Sequence, residues 1–562
     1  MRAAVQSRRP RRHTGMNGIE AVARILKLED VEWLACYPSN PLIEAAAREG
    51  IRPIAFRHER GAIMAADGYS RTSDRQRFGV VAVQSQAGAE NSLGGIAQAF
   101  ADNVPILVLP GGVNLNQIAV RPNFSAVHNY GGLARRVEAI YAAEQIPAVM
   151  RRAFHALRNG PPGPVVVELT ADVLSREAPE SAIDYTPPPL VRQAPEPDAV
   201  AEAASLLLEA ERPLVWSGGG VLFARATGQL RELAELLDAP VFTTMPGKSS
   251  FDERHPLAIG AGAGTTTLAA HRRIGDADVL LALGTSLTRT GYGQSIPPGT
   301  RIIHNTASLE DLNKDETAEI ALPGDAALVI EALIEELRDR LGDDGRGREE
   351  GVAASIAADR DEWLAEWEAL LESDEVPIGT YRVIREIDRT IDRERSIVTH
   401  DAGAPRDSIV PFFTATTPHS YVGWGKTTHL GFSIPLMIGA KLAHPDRFCL
   451  NLMGDGAFGM SGMDIETSAR AGVPITTVVL NNGGMATYPG GFPTAREQYG
   501  VSHMTGNYAQ IAEGMGAVGI EVLEPGELAP AIERAQQLNA EGRTVLIDVH
   551  SNMEARRSHW DR

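Results

Sequence analysis

The stretch GDGAFGMSGMDIETSARAGVPITTVVLNN, running from Gly454 to Asn482, decides how the chain is read. Ahead of it, FCLNLM (Phe448–Met453) is a short apolar run with the character of a buried strand, and it stops at Gly454-Asp455-Gly456. Ser461-Gly-Met-Asp464 matches a capping box and opens a helix, which closes near Gly472 with Pro474 soon after. ITTVVL (Ile475–Leu480) is a second strand, ending at Asn481-Asn482. In a right-handed β-α-β unit the two strands run the same way, so Asp455 and Asn482 arrive at one edge of the sheet. A carboxylate, an amide oxygen and a nearby backbone carbonyl make a hard oxygen site of the kind Mg²⁺ shares with phosphates and water. The N–H groups of Gly456 and Ala457, close to a helix start, favour an anion. A metal ion with a diphosphate is the economical reading. The plain alternative is a tight turn and a helix cap that merely coincide.

Outward from this unit the same alternation recurs. Pro-rich Asp184–Val200 and charged, Gly-rich Leu341–Gly351 read as linkers between three blocks. The first block offers strands at VEWLACYP, IRPIAFRH, FGVVAVQ, VPILVLP and GPVVVEL. The second offers RPLVWSG, APVFTTM, DVLLALG and TRIIHN, and the third RSIVTH, FCLNLMG, ITTVVLN and TVLIDVH. Apolar strands without clean alternation, separated by Ala-rich helices, indicate parallel sheets covered on both faces. The expected fold class is therefore α/β, with three doubly wound parallel-sheet domains over residues 16–184, 197–341 and 375–550, an extension over 1–15 and a tail over 551–562. Such sheets bind ligands beyond the carboxyl ends of their strands.

The 562 residues are too many for one core, and 43% hydrophobic with 22% charged residues is an ordinary globular composition. No apolar run approaches the roughly 20 residues of a membrane span. A net charge of −19 argues against a nucleic-acid surface. With only Cys36 and Cys449, a disulfide framework or cysteine-built zinc site is not expected, and a cytoplasmic setting is. MRAAVQSRRPRRHTG carries five Arg and no acid, but no apolar segment follows, so it reads as a disordered extension or as sequence ahead of a start at Met16.

GDG, then 24 residues, then NN resembles the thiamin-diphosphate fingerprint of the acetolactate synthase-like superfamily. The resemblance implies Mg²⁺ on Asp455, Asn482 and the Gly484 carbonyl. The cofactor's diphosphate, at Gly454, Asp455, Gly456 and Ala457, would complete the shell. IAFRHERGAIMAADGYSR resembles the family's segment that supplies a carboxyl group to N1′ of the aminopyrimidine, which makes Glu59 the catalytic carboxylate; its neighbour His58 reads equally well as structural. CYPSNPLIEA resembles the early loop near the cofactor. HLGFSIPLMIGAKLAHPDR resembles the family's Met-Gly-Tyr-Gly-Leu-Pro segment, placing Leu430 as the apolar prop beneath the cofactor and the Thr428 carbonyl as acceptor for its 4′-amino group. The family pairs the pyrimidine-binding domain of one subunit with the diphosphate-binding domain of another, implying a homodimer or homotetramer.

Departures from the acetolactate synthase pattern concentrate in substrate-facing loops. Ser85-Gln-Ala-Gly-Ala-Glu-Asn91 replaces Ser-Gly-Pro-Gly-Ala-Thr-Asn, and Arg121-Pro-Asn-Phe-Ser-Ala-Val-His128 replaces the segment with Phe-Gln-Glu, so that Ser125 stands in the place of its Gln. Gln86 and His128 are the candidates for polar contacts with substrate. Thr285-Ser-Leu-Thr-Arg289 replaces Arg-Phe-Asp-Asp-Arg, which argues against bound FAD. The resemblance thus implies 2-oxo-acid decarboxylation or carboligation through an enamine. AFGMSGMDIET is closer to 2-hydroxyacyl-CoA lyases and oxalyl-CoA decarboxylases, an alternative in which the substrate is an acyl-CoA and Trp216-Ser-Gly-Gly-Gly220, Arg556 and Arg557 would meet its nucleotide. A third reading is a cofactor-binding interaction protein without turnover, which an intact Glu59 opposes.

Overall fold

The computed structural model describes residues 15–37, 39–347, 349–485 and 491–560. All but Gly15 of the extension expected over 1–15 lies outside the described residues, as do Pro38 of the early loop and the last two residues of the tail.

Three six-stranded sheets, each parallel throughout, follow one another along the chain. The first holds β1 (Trp33–Cys36), β2 (Arg52–Ala55), β3 (Gly79–Val83), β4 (Ile106–Pro110), β5 (Arg136–Ile140) and β6 (Val165–Leu169), in the order β2-β1-β3-β4-β6-β5. The second holds β7 (Pro213–Ser217), β8 (Val241–Thr244), β9 (Ala258–Gly262), β10 (Val279–Leu283), β11 (Arg301–Thr306) and β12 (Ile320–Pro323), ordered β12-β11-β10-β7-β8-β9. The third holds β13 (Ser396–His400), β14 (Tyr421–Val422), β15 (Phe448–Gly454), β16 (Thr476–Asn481), β17 (Val518–Val522) and β18 (Val545–His550), ordered β14-β13-β15-β16-β18-β17. Helices connect the strands and cover both faces, so the central strands are buried along their length. This is the α/β architecture that the apolar runs require.

Five strands were not among the apolar runs: β5, β9, β12, β14 and β17. All five are sheet edges. Three of them, β5, β12 and β17, are half-buried, and RVEAI and VGIEV carry charge accordingly, whereas β9 and β14 are buried but glycine-rich or only two residues long. Between the second and third sheets the 23-residue helix Glu349–Leu371 buries Ile356 against the central domain and Trp363, Trp367 and Leu371 against the C-terminal one.

The first and third domains share a continuous core through the helices Glu59–Thr72 and Ser433–Ala443. Glycine makes this contact possible. A Cβ at Gly68 would collide with the Leu436 carbonyl, and one at Gly439 with the Ala65 carbonyl. The two backbones therefore touch where any side chain would hold them apart.

Candidate active site

β15 runs without a loop into the helix Asp455–Ser461, and a second helix follows over Asp464–Ala471. The capping box expected at Ser461 is not formed. The helix starts six residues earlier, Met463 precedes the second helix without a side-chain cap, and the Ser461 hydroxyl is buried without a partner. Gly472 does close the second helix, at φ +62° in the left-handed region that glycine adopts freely. The parallel pairing of β15 with β16 brings Asp455 and Asn482 to one edge.

Asp455 is 4% exposed. Its Oδ2 accepts from Gly483 N at 3.0 Å, and Asn482 Oδ1 accepts from Gly484 N at 3.1 Å, so the two side chains bracket one turn of backbone. Burial raises the Asp455 carboxyl above its ordinary range and Asp548 adds to this, against backbone donors at Gly456, Gly483 and Gly484. No Lys or Arg pairs with it among the described residues. A buried carboxylate with only neutral donors and an adjacent amide oxygen fits a divalent cation, which supplies the missing charge. Among the described residues no three His, Cys, Asp or Glu side chains cluster as a metal site. Gly456 N donates to Asp455 Oδ1 at 2.7 Å, which engages one of the two amides expected to face an anion and leaves that of Ala457. Around Gly454 an added Cβ would meet nothing within 4 Å, so space for a diphosphate lies beside the strand end.

Glu59 is the first residue of its helix and 4% exposed. Asn91 Nδ2 donates to its Oε2 at 3.1 Å. His58 caps the helix, its Nδ1 accepting from Arg60 N at 3.1 Å, which gives it a structural role. A Cβ at Gly88 would lie 3.3 Å from Glu59 Oε1, so the neighbouring helix Ala87–Ala101 presents a small residue where the carboxylate points.

Leu430 is 39% exposed, between Thr428 at φ +51° and Gly431 at φ +77°. A β-branched residue in the left-handed region is strained by about 1–3 kcal/mol. Asp401, fully buried at the end of β13, holds this turn: its carboxylate accepts from Gly431 N at 3.0 Å and from Ser433 N at 3.1 Å. Nothing in the sequence singled out Asp401, whose only signal was an acid directly after a strand.

Gln86 spends its amide on protein. Its Oε1 accepts from Phe124 N at 2.9 Å and its Nε2 donates to Asn123 at 3.3 Å. It does so from φ +58°, a conformation that favours glycine. His128 is exposed on the short helix Ala126–Asn129 of the same strap, capped by Ser125 and held at its start by Glu168, which accepts from Ala126 N at 2.9 Å. The structure thus joins Gln86 and His128 through the strap between them.

In the central domain the loops Trp216–Gly220 and Thr285–Arg289 line one cleft, beside the β7–β10 junction where the strand order reverses. Arg289 is paired there with Glu316. The tail crosses the helix Glu349–Leu371 and reaches the central domain, where buried Ser558 donates to the Thr266 carbonyl. Arg556 lies over the Trp367 ring at 4.2 Å and bonds Glu366, and Arg557 donates to carbonyls of Glu554 and Arg556.

Family comparisons match this arrangement domain by domain. Residues 16–144 match the thiamine pyrophosphate enzyme N-terminal TPP binding domain, 200–333 the central domain and 401–549 the C-terminal TPP binding domain. A probable acetolactate synthase large subunit from Methanococcus aeolicus is 30% identical over 493 residues, 83% of this chain and 80% of that protein. The chain belongs to the thiamine pyrophosphate enzymes of the acetolactate synthase-like group. Within that group, a probable large subunit from Methanocaldococcus jannaschii is 28% identical over 95% of this chain and 92% of its own length. The isozyme 3 large subunit of Escherichia coli K12 is 27% identical over 95% and 94%. The acetolactate synthase-like chain is thus an enzyme that uses thiamin diphosphate, and among its described residues no helix is long and apolar enough to cross a membrane.

Proposed function

We propose that the protein is a Mg²⁺- and thiamin-diphosphate-dependent carboligase or decarboxylase acting on a small 2-oxo acid. The observation that carries this reading is Glu59, a buried carboxylate at a helix start with a single side-chain donor, in the same chain as the oxygen pair of Asp455 and Asn482. When bound, thiamin diphosphate supplies a nucleophilic carbon and an electron sink for cleaving or making a C–C bond beside a carbonyl. Asp455, Asn482 and the Gly484 carbonyl hold the metal, and Ala457 N–H faces the diphosphate near Gly454 and Gly456. The Thr428 carbonyl would accept from the 4′-amino group, Leu430 would pack against the cofactor, and Glu59 would hold a proton at N1′. Gln86 acts on substrate through the strap it holds, and His128 faces the substrate side.

The site is read as shared between two copies, in a homodimer or homotetramer in the cytoplasm. Leu430, Met460 and Met463 support this, being 39%, 52% and 51% exposed beside the site, as large apolar groups at an interface are before the partner covers them. Glu59→Gln and Asp455→Ala proteins, each inactive, then regain about a quarter of wild-type sites when refolded together, since random pairing restores one intact site per mixed dimer. Confirmed mixed dimers without activity contradict a shared site.

The test of the reaction is acid-quench NMR of cofactor adducts with pyruvate, larger 2-oxo acids, oxalyl-CoA and a 2-hydroxyacyl-CoA. Adducts with the free acids are expected; adducts with thioesters alone overturn the reading.

A further inference from the structure

Two carboxylates outside the cofactor-facing set cross between domains in matching ways. Asp464, in the C-terminal domain, is 2% exposed. Its Oδ1 accepts from Arg57 N at 3.0 Å and from Thr467 Oγ1 at 2.9 Å. Arg57 lies two residues ahead of Glu59, at the turn between β2 and the Glu59 helix. The Asp464 Oδ2 occupies the position a Cβ at Gly61 would need, so Gly61 lets the carboxylate reach the turn at Arg57. Alongside, Arg470 donates to Ala55 O at 2.5 Å.

Asp102, in the N-terminal domain, does the converse. Its Oδ1 accepts from Lys426 N at 3.1 Å and its Oδ2 from Gly425 N at 3.0 Å. Lys426 lies two residues ahead of Thr428. Gln98, one turn away, accepts from Thr427 Oγ1 at 2.8 Å and from His429 N at 3.4 Å. Each domain therefore grips the backbone that presents the other domain's cofactor-facing residue, at the same offset in sequence.

Stability does not account for Asp464. No Lys, Arg or His forms an ion pair with it among the described residues, and burying a carboxylate on neutral donors costs more than burying an amide or an apolar group. What the carboxylate does is fix a backbone N–H from outside the Glu59 domain.

We propose that Asp464 is a positioning residue for Glu59, and Asp102 for Thr428 and Leu430, so that the contact between the first and third domains sets the geometry of both half-sites. The proposal rests on the reading of Glu59 as the group that activates thiamin diphosphate.

Two readouts test it: amide hydrogen exchange over residues 56–62 in the cofactor-free protein, and deuterium exchange at C2 of bound thiamin diphosphate. Asp464→Ala is expected to speed amide exchange in that segment and to slow C2 exchange tenfold or more, with cofactor affinity changed by less than threefold. Asp464→Asn, whose amide oxygen can accept from Arg57 N, returns both to within threefold of wild type. Gly61→Ala, whose methyl displaces Oδ2 while favouring the helix, reproduces the alanine effect and keeps the test open should Asp464→Ala not fold. Unchanged amide exchange in either disruptive variant, or no rescue by Asn, overturns the proposal. If Glu59→Gln retains wild-type C2 exchange, the reading of Glu59 falls instead, and the amide data alone judge the clamp.

Discussion

Asn91 donates to Glu59 from one turn inside the next helix, Nδ2 to Oε2 at 3.1 Å, and both residues lie in the N-terminal domain. The carboxylate proposed to serve the cofactor is thus oriented from within its own domain. A hydrogen bond to a charged group is worth about 1.5–3 kcal/mol, so Asn91→Ala is expected to slow C2 exchange of bound thiamin diphosphate by roughly ten- to hundredfold. The fold should be retained with a lowered melting temperature, since a buried carboxylate loses its donor, and circular dichroism with thermal melting checks that half of the statement.

The oxygen pair makes a different prediction. Asp455→Ala and Asn482→Ala should each weaken Mg²⁺-dependent cofactor binding by at least about tenfold, because each removes one of roughly six oxygen ligands. Calorimetric titration of thiamin diphosphate with and without Mg²⁺ reads this. A variant that binds as tightly as wild type shows that its side chain is not a ligand.

Gly68 and Gly439 let two helix backbones touch, and the collision a methyl would cause is with backbone that cannot step aside. Gly68→Ala and Gly439→Ala should each destabilise the protein by about 1–3 kcal/mol or more, as overpacking does. Gly228, in the helix Thr227–Leu237, has nothing within 4 Å of an added Cβ, so Gly228→Ala should be neutral or stabilising by up to ~1 kcal/mol. Urea unfolding compares the three.

Burial raises the Asp464 carboxyl from 3.8 to about 6; its bonds to Arg57 N and Thr467 and the Arg57 charge oppose this, and Glu466 adds to it. A carboxyl whose folded value is raised favours the fold while protonated. Its relative contribution is therefore full below about 3.8 and falls as pH rises through about 6. Asp464→Asn does not titrate. Its stability relative to wild type should accordingly improve by about 1 kcal/mol between pH 5 and pH 7.5, read from urea midpoints. A constant difference would contradict the raised value.

The strands that carry the site were legible because they are central: Phe448–Gly454 and Thr476–Asn481 are apolar, buried along their length, and end where the apolar run breaks at Gly454 and Asn481. The edge strands β5, β12 and β17 were not, since half-buried segments lose the apolar signature, and neither were β9 and β14, which are buried but glycine-rich in one case and two residues long in the other. Ser461 misled because a four-residue pattern cannot report that Asp455 already begins a helix on the strand end. Gln86 is a candidate for substrate contact by sequence; its bonds to Asn123 and Phe124, 37 and 38 residues on, leave no local pattern. Asp464, Asp102 and Asp401 were out of reach for one reason: each acts on a backbone N–H distant in sequence, in two cases in another domain, and such a partner leaves no local pattern.

The central claim is that Glu59 activates thiamin diphosphate held by Asp455 and Asn482. Deuterium exchange at C2 of the bound cofactor, compared between wild type and Glu59→Gln at equal occupancy, measures it most directly. The account predicts fast exchange in the wild type and a fall of a hundredfold or more in Glu59→Gln. Equal rates in the two proteins would contradict it.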